Sequence, residues 1–245
     1  MYFSRAMLRT DKVDLAELSR LVVRDTYRAH QLVWDLFGDT RDRKRDYLYR
    51  REMIDGQPVF YIVSERPPAP TNNNWDIKTK DYDPQIEVGE QFAFRVCVNP
   101  VVERPGGPVL DKTGQPKLRS TGKRSGEIKH KVVRHDVVMA AKKAMGDSWN
   151  EQFSLNRLKE AARDWLGDGE ESRCFRNGFS IEDLSAHSYI QHRIYRGKQE
   201  PIRFSTLELE GTLTVLEPDS FRKMLFNGIG PARGFGCGLL LVRRI

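Results

Sequence analysis

Hydrophobic positions in the first hundred residues follow the two-residue period of strands and the longer period of a helix in turn. Asp25 is a candidate N-cap inside the helical pattern, and Asp55-Gly56 is a hairpin turn signal. The predicted elements are a strand at 1–8, a helix in two pieces at 13–37, strands at 46–52 and 58–64, a loop at 66–74 and a strand at 91–99.

The second half repeats this order after a polar, basic stretch at 100–135 that reads as a solvated loop. The pattern predicts a helix at 148–166, strands at 184–195 and 201–216 around residues 196–198, a short helix at 219–226 and a last strand at 238–242. The fold class is therefore α+β, with two tandem ferredoxin-like (RRM-like) domains at 1–98 and 99–245. A second helix is poorly marked in the first domain.

Composition narrows the class of protein. Lys and Arg number 41 against 34 Asp and Glu, a net charge of +7, which favours a polyanionic partner. Hydrophobic residues make up 39%, enough for folded cores. The sequence has no run of 18 apolar residues and no apolar leader, so we expect neither membrane insertion nor secretion. Cys97, Cys174 and Cys237 have no paired spacing, which suits a reduced cytoplasmic compartment.

Five glycines lie between residues 228 and 238. Arg233 stands where a dinucleotide fingerprint needs its third glycine, and the phosphate-loop pattern is absent. Two interpretations stay open: a tight helix-to-strand connection with positive φ angles, or a backbone that offers its N–H groups to phosphates.

The histidines do not form a metal-ligand pattern, and no motif calls for a cofactor. Tyr27 and His30 are three residues apart, so on a helix they lie side by side while Ala29 and Val33 face the core. From spacing alone, Tyr27 and His30 are either ordinary surface or boundary residues or part of a reactive site. The basic run at 41–45 alternates with Asp39, Asp42 and Asp46 and is expected at the surface.

Four stretches together resemble the CasE family, the CRISPR repeat-RNA endoribonucleases of type I-E Cascade systems. They are MYFSRAML, RDTYRAHQLVWDLF, FRVCVNP and the tail FNGIGPARGFGCGLLLV. The resemblance runs from end to end and is weakest at 100–132 and 167–186. It implies tandem ferredoxin-like domains and metal-independent cleavage at the base of a repeat hairpin, which leaves a 2′,3′-cyclic phosphate and a 5′-hydroxyl.

The resemblance also implies roles for particular residues. The histidine of the family maps onto His30 as general base or acid, and its tyrosine maps onto Tyr27, which orients the phosphate. The residues expected to contact RNA are Arg28, Lys129, Lys131, Arg134, Arg193, Arg196, Lys198, Arg203, Arg233, Gly230, Gly234 and Gly236.

The expected partners are CRISPR repeat RNA and other Cascade subunits, with no cofactor, metal or membrane. A non-catalytic subunit that only caps the RNA hairpin is the alternative, and retention of Tyr27 and His30 favours the nuclease. A generic RNA-recognition module is disfavoured because the first half lacks the aromatic signature of such modules.

Overall fold

The structure is a computed structural model that describes residues 1–12, 26–38, 45–70, 72–120, 124–146, 151–167, 169–196 and 199–245. Several predictions lie outside these residues: the first piece of the helix, Asp25 as the N-cap of the second piece, residues 41–44 of the basic run, and Lys198. The strand that carries Arg196 is described, but the side chain of Arg196 is not.

The described residues of the first half form a four-stranded antiparallel sheet and one helix. Its elements are β1 (Tyr2–Leu8), α1 (Thr26–Asp35), β2 (Tyr47–Ile54), β3 (Gln57–Ser64) and β4 (Trp75–Asp81). The strand order is β2-β3-β1-β4, the order of a ferredoxin-like sheet. Asp55 and Gly56 both have positive φ, as a tight hairpin requires. The described residues between β3 and β4 contain no helix at the place where a ferredoxin-like domain has its second one.

The second half has the complete set of elements. They are β5 (Gln91–Val98), β6 (Val101–Pro108), β7 (His130–Asp136), α2 (Val137–Met145), α3 (Glu151–Leu166), α4 (Arg173–Arg176), β8 (Phe179–Arg196), β9 (Gln199–Val215), α5 (Pro218–Asn227) and β10 (Leu241–Arg244). The sheet order is β10-β5-β9-β8, which repeats the ferredoxin-like order. The α+β class and the tandem arrangement predicted from the sequence are confirmed.

Strand pairing bears on where the halves divide. β5 pairs with β9 along its whole length and with β10 over Phe92–Arg95, so it belongs to the second sheet. The division predicted at 98/99 would therefore separate this strand from its partners. The two sheets part between Asp81 and Gln91.

The polar stretch at 100–135 contains a β-hairpin where a loop was expected. β6 and β7 pair antiparallel, and single bridges join Leu110 to Pro116 and Leu118 to Ile128 farther out. Nearly every described side chain of this arm is exposed. The strand signal was hidden because neither face of the hairpin is buried, so no alternation of apolar and polar residues marks it.

Three apolar clusters hold the molecule together. One fills the second half, and a second lies between α1 and the first sheet. The third joins the halves: Leu239 from the glycine-rich end packs with Leu48 and Val63, and all three are at most 5% exposed. Among the described residues, no helix is long and apolar enough to cross a membrane.

Candidate active site

Helix α1 positions His30 at the edge of the first half. Ala29 and Val33 are buried as predicted, which leaves Tyr27 and His30 half-buried on the flank of the helix. The ring centroids of Tyr27 and His30 are 6.4 Å apart. The predicted side-by-side pair is therefore present.

The second half reaches this flank with aromatic rings. Phe235, from the glycine-rich end, lies 5.7 Å from His30 between ring centroids. Phe204 of β9 stacks on Phe235 at 4.8 Å, and His192 of β8 stacks on Phe204 at 4.7 Å. His192 also places its Nδ1 3.4 Å from the hydroxyl of Thr26, one turn before His30. The two halves thus meet at the candidate histidine.

The surroundings of His30 favour its neutral form. Burial lowers the pKa of this imidazole below its usual value of 6.5, and the positive charge of Arg45 lowers the pKa further. The carbonyl of Gly234 opposes the shift only in part. The buried Nδ1 finds no hydrogen-bond partner within the described part of the chain. A neutral imidazole at pH 7 can accept a proton.

The glycine-rich end wraps the edge strand of the first sheet. A Cβ added to Gly228 would lie 3.0 Å from Leu48, and one added to Gly236 would lie 3.2 Å from the ring of Tyr49. Leu48 and Tyr49 are consecutive on β2, so the connection contacts both faces of that strand. Its glycines allow this close approach and the positive φ angles that several of them adopt.

The structure thereby gives an intramolecular reason for the three glycines predicted to contact RNA. Gly230 packs on Trp165, Gly234 on the guanidinium of Arg45 and Gly236 on Tyr49. The glycine-rich end is therefore a tight helix-to-strand connection, which was one of the two interpretations of the sequence. Contact of these glycines with RNA stays a prediction.

Three of the predicted RNA-binding arginines line one surface. Arg134, Arg193 and Arg203 surround a depression of about 620 Å³ whose wall includes Phe204 and Phe235. The cationic side chains therefore lie next to Phe204 and Phe235, and Phe235 is the ring beside His30. A phosphate backbone laid along this depression would pass the imidazole.

The remaining predicted contacts are more dispersed. Lys129 and Lys131 are exposed on the β6–β7 hairpin. Arg233 is exposed and donates from Nε to the carbonyl of Gly230 at 3.1 Å. Arg28 is half-buried on α1, and its Nη1 donates to Gln31 at 3.5 Å. Roles for these residues stay predictions.

The sequence pattern missed several residues of this site. The aromatic wall of the site consists of Phe204, Phe235 and His192. Of these three, only Phe235 has a signal in the sequence, because it stands between two glycines. Arg45, which was expected at the surface, is half-buried. Its Nε is buried, and its guanidinium lies 5.9 Å from the ring centroid of Tyr47.

A second cavity, of about 390 Å³, separates β2 from β9. Arg50 of the first half is 4% exposed and donates to Glu52 and to Glu208 of the second half, both at 2.8 Å. Arg95 donates from Nη1 to Glu52 at 3.5 Å across the same boundary. These ion pairs fix the two sheets relative to each other.

The described residues contain no group of three or more His, Cys, Asp or Glu side chains that could hold a metal ion. All three cysteines are free.

The chain folds into two ferredoxin-like domains that meet at His30, and a cationic depression borders this junction. These features define a class of tandem α+β protein. The family model described as CRISPR associated protein matches residues 1–244, and the chain belongs to this family. The CRISPR system Cascade subunit CasE of Escherichia coli K12 is 28% identical over 228 residues, which cover 91% of this chain and 94% of that protein.

Solved structures show the same fold. Cas6e from Escherichia coli K-12 superposes with a TM-score of 0.52 at 24% identity over 100% of both chains. Thermus thermophilus Cse3 bound to an RNA that represents a pre-cleavage complex superposes with a TM-score of 0.59 at 17% identity, over 99% of this chain and 98% of that one. Both likenesses span essentially the whole chain.

Proposed function

We propose that the protein is an endoribonuclease that cuts CRISPR repeat RNA by metal-independent transesterification and remains bound to its product as a Cascade subunit. The observation that carries this proposal is His30, a half-buried imidazole with a lowered pKa at the junction of the two domains. A cationic depression beside it suits a phosphate backbone.

The reaction needs two proton transfers. The ribose 2′-oxygen attacks the adjacent phosphorus, so that a new P–O2′ bond forms while the P–O5′ bond breaks. The 2′-hydroxyl proton must be removed, and the departing 5′-oxygen must gain a proton. Because burial and Arg45 hold His30 neutral near pH 7, we assign it the first transfer. Tyr27, one helical turn away, would orient the phosphate.

The relatives support RNA cleavage within a Cascade complex as the function. The protein from Escherichia coli is named a Cascade subunit of the CRISPR system, and the Thermus thermophilus protein was solved with an RNA in a pre-cleavage state. Since the match to each spans nearly the whole chain, both domains are available for the same task here. Assembly with other Cascade subunits in the cytoplasm belongs to the same proposal.

The test is incubation of the purified protein with end-labelled repeat RNA in excess EDTA. We expect one cut that leaves a 2′,3′-cyclic phosphate and a 5′-hydroxyl. His30→Ala should slow cleavage by about 10²- to 10⁴-fold, as expected for loss of a general base, and leave RNA affinity nearly unchanged.

His187→Ala is the matched control. This half-buried histidine lies in the cavity between the sheets, 3.8 Å from Glu210, and its variant should cleave within about twofold of wild type. Tight binding without cleavage by the wild-type protein would instead identify a hairpin-capping subunit. Cleavage by His30→Ala at the wild-type rate would reject the assigned residue.

A further inference from the structure

Arg45 occupies an unusual position between the two domains. It precedes β2, and the Nη1 and Nη2 edge of its guanidinium faces Gly234 in the glycine-rich end. A Cβ added to Gly234 would lie 2.5 Å from Nη2 and 2.7 Å from Nη1 of Arg45. Any side chain at position 234 would therefore displace the guanidinium.

Within the described residues, Arg45 has no counter-charge of the kind that its neighbours have. Arg50 and Arg66 each donate to a carboxylate at 2.8 Å. No carboxylate in the described ranges pairs with Arg45, and its buried Nε has no hydrogen-bond partner there. A half-buried cation without a partner is costly in the free protein, and an anionic ligand would relieve that cost.

The same arginine acts on the candidate catalytic histidine. The positive charge of Arg45 lowers the pKa of His30, second only to burial. Gly234 links the two, because its backbone contacts the guanidinium and its carbonyl acts on His30. The titratable and charged groups on the elements packed around His30 are Tyr27 and Arg28 on its own helix, Arg45, Tyr47 and Tyr49 on the β2 side, Arg233 on the glycine-rich end and His192 on β8.

We infer that Arg45 binds the scissile phosphodiester beside His30 and stabilises the charge that develops on it, an inference that rests on the proposed endoribonuclease activity. As the P–O2′ bond forms and before the P–O5′ bond breaks, the non-bridging oxygens gain negative charge. A guanidinium donates two parallel N–H groups to such oxygens. Its fixed charge also keeps the neighbouring imidazole unprotonated and able to accept the 2′-hydroxyl proton.

Gly234 has a role in this arrangement that differs from an RNA contact. It leaves open the space that the guanidinium fills, and so it positions Arg45. Substitution of Gly234 by alanine should therefore have the consequences of losing the arginine.

The experiment measures single-turnover cleavage of repeat RNA from about pH 5 to pH 9 with saturating protein. Arg45→Gln should lower the rate by about 10²- to 10³-fold, the usual effect of removing one donor to a developing charge. The apparent pKa of the pH–rate profile should also move upward in this variant, because a positive neighbour of His30 is lost. A purely structural role for Arg45 would not move the pH profile.

Further variants separate the effect of the positive charge of Arg45 from any effect on folding. Arg45→Lys keeps the positive charge, so it should retain the pH profile while losing about tenfold in rate with the two-pronged contact. Gly234→Ala should reproduce the Arg45→Gln profile, and the double variant should be no slower than either single one. Arg222→Gln removes a distant arginine that packs on Phe226, and it should behave as wild type.

Affinity is measured with RNA that carries a 2′-deoxyribose at the cut, which cannot react. Arg45→Gln should bind this RNA within about tenfold of wild type, since only one phosphate contact is lost. An unchanged rate and pH profile in Arg45→Gln would overturn the inference while the wild-type cleavage still supports the proposed function. If Arg45→Gln does not fold, the other two variants decide. A shifted pH–rate profile in Arg45→Lys, or a wild-type pH–rate profile in Gly234→Ala, would overturn the inference. Absence of cleavage by the wild-type protein would reject both.

Discussion

The two sheets share one strand order but differ in how their faces are covered. In the second half, residues of α2, α3 and α5 build a core that is contained within that half. In the first half, α1 covers one face of the sheet. The opposite face, at Leu48 and Val63, is covered by Leu239 and the end of α5 from the second half.

This difference shows why the molecule works as one unit. The first half depends on the second for part of its core, and the segment that supplies the cover also carries Phe235 to His30. The candidate chemistry belongs to the first half, and the cationic depression belongs mainly to the second. The glycine-rich end therefore couples folding of the first half to assembly of the site.

The largest expected effect comes from breaking the shared core. Leu239→Ala removes a side chain that is 1% exposed, and the free energy of unfolding should fall by about 2–5 kcal/mol. Chemical denaturation would measure this loss. Leu216→Ala, at a leucine that is 41% exposed, is the control and should change stability by less than about 0.5 kcal/mol. Equal losses would contradict the dependence of one sheet on the other half.

Removing cations from the second half should affect binding without affecting chemistry. The double substitution Arg193→Gln and Arg203→Gln should weaken affinity for repeat RNA by about a hundredfold and reduce the salt dependence by about two released ions. Cleavage with saturating protein should keep its wild-type rate. The double substitution Arg222→Gln and Lys223→Gln on α5 is the charge-matched control. A lower rate at saturation would place these arginines in the chemistry as well.

The ion pair between the halves offers a smaller test. Glu208→Gln leaves the buried Arg50 with Glu52 as its remaining carboxylate partner, so stability should fall by about 1–3 kcal/mol. Thermal unfolding would measure the change. Glu182→Gln, an exposed acid on β8, should have little effect. No loss in Glu208→Gln would mean that the apolar contacts alone hold the sheets together.

The smallest effect is a pH dependence of stability from His30. The folded pKa lies below the unfolded value of 6.5, so between the two values the unfolded chain binds more protons. The free energy of unfolding should therefore be highest above pH 6.5 and decrease as the pH falls through the folded pKa. His30→Gln should reduce that decrease. An identical slope in both proteins would show that another group is responsible.

The sequence pattern was sufficient for elements that bury one face. β2, β3, β5, α3 and α5 all lie close to their predicted positions because apolar side chains repeat at the period of each element. β4 was missed since its residues after Trp75 are mostly polar and exposed. The inserted hairpin was missed for the same reason.

The site was predictable only where local spacing defines it. Tyr27 and His30 are neighbours through one helical turn, and the sequence contains that relation. Arg45 is 15 residues and Phe235 is 205 residues from His30 in the sequence, so no local pattern could assign them to the site. The alternation of basic and acidic residues suggested an exposed segment, with Arg45 at the surface. The buried Nε of Arg45 shows that such a pattern does not fix the exposure of each residue.

The exposed arm between β5 and α2 concentrates the charge of the protein. Residues 101–136 contain nine Lys and Arg against four Asp and Glu, a net charge of +5 out of +7 for the whole chain. The arm consequently carries most of the net positive charge of the molecule on exposed side chains. A polyanion that diffuses toward it experiences a torque that turns the arm forward before any contact forms, and this steering weakens as salt shortens the Debye length.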